Sequence, residues 1–160
     1  MITVVIGHVC SGKTTYVLAN ARRGDVIIDM DRLAHAMTTD DTPDHDYPQH
    51  VADIAKAARW AAIDEAVRRH RAGGFDLWVI HAYPDEKDLA IYRRCGAAIH
   101  EVEADATTLR LRASMGRPAR VRRLLEERLG GVGSPHTTKQ APTPRVPCAR
   151  ISVEFPQTGR

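Results

Sequence analysis

Residues 7–14 read Gly-His-Val-Cys-Ser-Gly-Lys-Thr, directly after the apolar run Ile2-Thr3-Val4-Val5-Ile6 and directly before a helical pattern from Lys13 to Ala21. No other feature constrains the fold as strongly, because each fixed position in the spacing has a physical reason. Gly7 and Gly12 allow backbone torsions and close approaches that a β-carbon would block, so the amides of His8, Val9, Cys10, Ser11, Gly12, Lys13, Thr14 and Thr15 can turn toward one anion. Lys13 adds an ammonium for the outer phosphates of a nucleotide. The Thr14 hydroxyl offers a ligand to Mg²⁺, and the following helix directs its positive end at the same point. The competing explanation is a glycine-rich turn with no ligand. It accounts poorly for a match that sits between a buried-strand pattern and a helix pattern.

Downstream, apolar runs and helical periods alternate. Val26-Ile27-Ile28 reads as a second strand, Asp29-Met30-Asp31 leads into a short helix from about Arg32 to Met37, and Phe75 to Ile80 reads as a third strand. Between them Val51, Ile54, Ala55, Ala58, Ala62 and Ala66 share one face of a helix predicted from His50 to Arg71, which stops at Gly73-Gly74. A helix from Asp85 to Cys95, a fourth strand from Ala97 to Val102, a helix capped by Asp105 and another from Ala119 to Leu129 complete the pattern. The expectation is an α/β fold: a three-layer α/β/α sandwich on a central, mostly parallel sheet of four or five strands. Residues 1–129 form its single domain, since 160 residues suffice for one ordinary core. Residues 130–160 are rich in glycine and proline and predict a flexible tail, although the alternation of Ile151, Val153 and Phe155 would permit a late edge strand at 150–155.

Charge is unevenly spread although the net value is only +3. Residues 25–53 carry Asp25, Asp29, Asp31, Asp40, Asp41, Asp44, Asp46 and Asp53 against a single Arg32, whereas 110–128 carry Arg110, Arg112, Arg117, Arg120, Arg122, Arg123 and Arg128 against Glu126 and Glu127. The arrangement reads either as two solvated faces or as an acceptor and metal side opposite a phosphate clamp. Cys10, Cys95 and Cys148 have neither zinc spacing nor a disulfide framework and predict reduced thiols. No apolar run approaches the roughly 18 residues of a membrane span, and Met1 enters a strand rather than a cleavable signal; a cytoplasmic chain without membrane contact is expected.

On Gly7 to Thr15, on Ile28-Asp29-Met30-Asp31-Arg32-Leu33 and on Arg112 to Pro118, the chain resembles the P-loop kinase superfamily, and within it the small polynucleotide-kinase-like and phage-encoded nucleic-acid or nucleotide kinases with an AAA-like ATP-binding domain. The resemblance covers residues 1–129 and implies ATP or another nucleoside triphosphate as donor and Mg²⁺ as cofactor. It also implies a hydroxyl acceptor on a nucleic acid, nucleoside or nucleotide, and host cytoplasm if the chain is phage-encoded. It assigns the base role to Asp31, acceptor binding to Arg32, and a phosphate-holding helical lid to Arg112 and Arg117. Asp29 is second choice as base, or a partner for Mg²⁺-bound water beside Thr14. Two departures stand out: Cys10 occupies a position where such kinases commonly have glycine, and His81 follows the third strand where an aspartate is common.

Bland accounts stand beside these assignments. Asp31 and Asp29 suit a helix cap, Arg32 a surface salt bridge, each lid arginine a solvated helix face, and His81 either a substrate contact or an internal hydrogen bond. His45, Asp46 and His50 lack regular ligand spacing and read as polar loop residues in an exposed segment, Thr38 to Pro48, that has no apolar period to anchor it. Trp60 and Trp78 read as packing residues rather than stacking platforms. Two other functional readings remain open, a partner-coupled ATPase or switch and a kinase of a sugar nucleotide or other small molecule.

Overall fold

The computed structural model describes residues 1–39, 41–43 and 45–130. Cys148 and the late edge strand expected at 150–155 lie outside the described residues. Four parallel strands, β1 Ile2–Ile6, β2 Val26–Asp29, β3 Leu77–His81 and β4 Ala98–Glu101, form one sheet in the order β2-β3-β1-β4. Parallel neighbours need crossovers, and helices supply them: α1 Lys13–Asn20, α2 Met30–Ala36, α3 Gln49–His70, α4 Glu86–Arg94, α5 Ala106–Ser114 and α6 Ala119–Gly130.

The two-residue period of the central strands divides the core. Val4, Leu77 and Val79 point to one face, where they meet Ile63 and Val67 of α3 and Tyr92 of α4. Their neighbours Val5, Trp78 and Ile80 point to the other face and pack on Val17 of α1. Helices therefore cover both faces, which explains why β1 and β3 are apolar at consecutive positions. A smaller cluster of Ala34, Tyr47, Val51 and Ala55 seats α2 on α3, and Leu109, Ala113 and Leu125 join α5 to α6.

Two details depart from the sequence expectations. The buried stripe of α3 runs through Ala52, Ala55, Arg59, Ile63 and Ala66, whereas Ile54 is 57% exposed. Read through alanines the helical period is ambiguous by about one position, and a charged residue inside the stripe hides the true face. The segment Thr38 to Pro48 also has an anchor after all: Tyr47 is 4% exposed, and its hydroxyl donates to the Asp31 carbonyl at 3.2 Å.

Register fixes what the fold presents. Ile6 lies opposite His81 and Glu101, and Asp29 lies opposite Ile80, so the carboxyl ends of all four strands finish along one edge. In parallel sheets this edge collects ligands. Aspartates cap three helices starting near it: Asp29 accepts from the Asp31 amide, Asp85 forms a reciprocal capping box with Asp88, and Asp105 accepts from the Thr108 amide.

Candidate functional site

The loop after β1 has the backbone of an anion nest. Gly7, Cys10 and Gly12 take φ of 137°, 64° and 104°, so the chain turns sharply on the way to α1. At Gly7 the approach is tight: a β-carbon would lie 2.4 Å from the Val102 carbonyl oxygen on the neighbouring β4 connection. Cys10 holds a left-handed conformation in which glycine meets no steric penalty, a physical reason for glycine at that position. The Ser11 hydroxyl is buried within the loop with no hydrogen-bond partner among the described residues.

Lys13 is 7% exposed and curls back under the loop, donating to the carbonyls of Gly7 at 3.1 Å and His8 at 2.5 Å. Burial lowers its pKa from 10.5 to about 8, opposed by the negative charge of Asp29 and Asp31. Thr14 and Thr15 are exposed in the first turn of α1, where unpaired amides point along the helix axis.

On the facing side, β2 delivers Asp29 and α2 delivers Asp31. Asp29 is 7% exposed; burial and the adjacent Asp31 push its carboxyl up, while Oδ1 accepts the Asp31 amide at 3.1 Å. The helix-cap role raised for these aspartates thus belongs to Asp29. Asp31 keeps 41% of its side chain in solvent, yet surrounding groups bury enough of it to raise its pKa, opposed by the charges of Arg117, Lys13 and Arg120. Loop, both aspartates and Arg117 therefore share one electrostatic environment. Arg32 is exposed, and its charge acts on Asp29.

Among the arginines expected to form a lid, Arg112 lies across the loop after β1, its Nη1 donating to the carbonyls of Cys10 at 3.1 Å and Ser11 at 3.2 Å. Arg117 is half-buried at the turn between α5 and α6. Arg110 instead forms a fork with Glu126 at 2.9–3.2 Å that ties the two helices together. Arg120 extends the cluster, donating to the His45 carbonyl at 2.7 Å and pairing with Asp46 at 3.4 Å.

His81 turns inward. An arginine can only donate, so Arg59 Nη2 at 3.2 Å marks His81 Nε2 as an acceptor; Nδ1 then carries the hydrogen and donates to the Tyr92 hydroxyl at 2.9 Å. Burial, followed by the charges of Arg59 and Lys13, lowers its pKa to about 3. With both nitrogens engaged and 7% exposure, His81 is a neutral wall of the site, and the substrate contact raised for it has no free ring nitrogen to use.

Three residues join the site without having been singled out for it. Tyr83, at φ 56°, accepts the Val9 amide at 3.3 Å and meets His8 Nδ1 at 3.2 Å, with the Arg128 guanidinium 4.8 Å from its ring centre. Arg59 is 7% exposed, its guanidinium 5.4 Å from the Trp60 ring and its Nε without a partner among the described residues. His45 Nδ1 lies 2.9 Å from Asp31 Oδ2. Only Tyr83 carried a local signal, a bulky residue before proline at a strand end.

A cleft of about 220 Å³ opens beside the loop between His8 and residues 101–104. The larger groove, about 410 Å³, is lined by Met1, Arg22, Arg23 and Asp76 at the amino ends of the strands and shares no residue with the loop. Among the described residues no three His, Cys, Asp or Glu side chains gather into a metal cluster, and no helix is long and apolar enough to cross a membrane. No protein-family model matches the chain, and no curated protein matches its sequence.

Proposed function

We propose that this α/β domain is a P-loop kinase: an ATP-dependent phosphotransferase, or one using another nucleoside triphosphate, that moves the γ-phosphate to a hydroxyl. The acceptor is a nucleic acid, at a 5′ end or a modified base, or a nucleoside or nucleotide. The observation that carries the reading is the gathering of Lys13, Asp31, Arg112 and Arg117 around a glycine-shaped loop at the carboxyl edge of the sheet.

Phosphoryl transfer asks mainly for positioning and charge balance. The loop amides and the α1 amino end orient the donor phosphates, and Lys13 exchanges its loop carbonyls for phosphate oxygens. Arg112 and Arg117 balance charge on the transferring group through planar guanidinium forks. Asp31 takes the acceptor proton; its raised pKa makes the carboxylate a better base than an exposed one. The residues present fit Mg²⁺: the exposed Thr14 hydroxyl and the Asp29 oxygen not used in the cap would hold it directly or through water, and its charge would neutralise the phosphates. Tyr83, bonded to the Val9 amide, stiffens the loop from the β3 side.

The test is incubation with γ-labelled ATP, Mg²⁺ and a panel of 5′-hydroxyl oligonucleotides, nucleosides and nucleotides. Label in one class of acceptor, lost in Asp31→Asn while ATP binding persists, is the expected result; no transfer to any panel member counts against the reading. Affinity for the labelled acceptor that falls steeply with salt identifies a nucleic acid, and affinity indifferent to salt a small molecule.

A further inference from the structure

Asp31 does not stand alone. Three elements close around it: its own helix α2, the segment before α3, and the turn into α6. His45 Nδ1 lies 2.9 Å from Oδ2, and the Tyr47 hydroxyl donates to the Asp31 carbonyl at 3.2 Å. Arg120 reaches back from α6 to the His45 carbonyl at 2.7 Å. His45 itself has φ 65°, a conformation uncommon outside glycine, so its backbone is held in place by its surroundings.

From this convergence we infer that His45 is a positioning residue for the acceptor site, fixing the Asp31 carboxylate so that one oxygen is used by the imidazole and the other is left for the acceptor hydroxyl. The inference rests on the kinase reading above and deepens it. A carboxylate accepts, so the imidazole donates through Nδ1–H to Oδ2. That bond removes the two-fold freedom of the carboxyl group about its terminal torsion, which is otherwise broad. In the transfer step the acceptor oxygen forms a bond to phosphorus as the bridging oxygen of the donor leaves with the electron pair. The acceptor proton goes to the free oxygen of Asp31, and His45 keeps its own. Arg120 ties this arrangement to the lid, so the elements that hold donor and acceptor are linked through one side chain.

Two measurements decide the matter. Long-range ¹H–¹⁵N spectra of the His45 ring should show the Nδ1–H tautomer in the unmodified protein and lose it in Asp31→Ala; an Nε2–H ring indifferent to that substitution overturns the inference whether or not an acceptor is known. In the labelled-ATP assay, with whichever 5′-hydroxyl oligonucleotide, nucleoside or nucleotide of the panel takes label, His45→Ala should lower kcat by about 10- to 100-fold, part of the 10²–10⁴ a positioned base supplies. KM for ATP should be unchanged, added imidazole or the His45→Asn variant should restore part of the rate, and the melting temperature should stay near that of the unmodified protein. Full activity of His45→Ala beside an inactive Asp31→Asn defeats this inference and leaves the kinase reading standing. Equal activity of Asp31→Asn and the unmodified protein defeats both.

Discussion

Raising the pH through the titration of Lys13 should release a bound nucleoside triphosphate. Burial of this ammonium under its own loop brings its pKa from 10.5 down to about 8 in the free protein. Phosphate oxygens at the same point favour the charged form and return the value toward 10.5. If the return is complete, the two states differ by about 2.5 units, or about 3 kcal/mol, which is about 300-fold in Kd. The sign follows from proton counting. Below pH 8 Lys13 is charged with or without ligand, and affinity is level; above it the free protein must take up a proton to bind, and Kd rises by about tenfold per unit. Calorimetry with Mg²⁺-ATP from pH 7 to 9.5, in buffers of different ionisation enthalpy, reads Kd and proton uptake together. Uptake close to one proton is expected at pH 9, and the same series in Cys10→Gly removes the neighbouring thiol. The stability of the free protein should move the opposite way, rising between pH 8 and 10.5 as the unfolded chain holds a proton that the folded chain does not. A Kd constant from pH 7.5 to 9.5, or binding without proton uptake, refutes the argument.

Gly7→Ala forces a β-carbon to 2.4 Å from the Val102 carbonyl oxygen at φ 137°; a cost of about 1–3 kcal/mol in thermal unfolding and loss of the Mg²⁺-ATP binding heat are expected. An unchanged melting temperature with unchanged binding would contradict the close approach. Arg112→Lys keeps the charge but loses the planar guanidinium, whose Nη1 rests on the Cys10 and Ser11 carbonyls while its other nitrogens can hold phosphate oxygens, so KM for the nucleotide should rise by about tenfold in initial-rate assays, and an unchanged KM would remove Arg112 from the donor site. His81, whose folded pKa of about 3 lies below its ordinary 6.5, contributes stability that is complete above pH 6.5 and lost as pH falls toward 3, by about 1.4 kcal/mol per unit. Urea unfolding between pH 4.5 and 7 should show a shallower dependence in His81→Gln than in the unmodified protein, and parallel curves would mean that His81 protonates freely.

Much of the fold could be read from the chain because its signals are local. A β-branched run ending at Gly7, two glycines before Lys13, and aspartates at helix starts each determine their own neighbourhood through sterics and hydrogen bonds. The strands moved by a residue or two: β3 begins at Leu77, not Phe75, and runs on to His81. The α3 face was harder to read because alanine fits either side of a helix, and the buried Arg59 inside its stripe carries a polar label in any sequence pattern.

The site divides along the same line. Gly7 to Thr15 are contiguous and legible, whereas the contacts that surround Asp31 join residues 31, 45 and 120, whose proximity no spacing rule encodes. His45 and Asp46 look like ordinary polar loop residues in sequence. Their contacts with Asp31 and Arg120 come from Tyr47, which anchors the segment on Ala34 and Ala55 and turns it over the site.

The most direct test is a single-turnover experiment with γ-labelled ATP and Mg²⁺, comparing the unmodified protein with Lys13→Ala and Asp31→Asn on the acceptor that the panel selects. The account predicts transfer of label to an acceptor hydroxyl by the unmodified protein. Lys13→Ala should neither bind nor transfer, and Asp31→Asn should bind but fail to transfer. Absence of nucleotide binding in the unmodified protein, or transfer by Asp31→Asn at the unmodified rate, would contradict it.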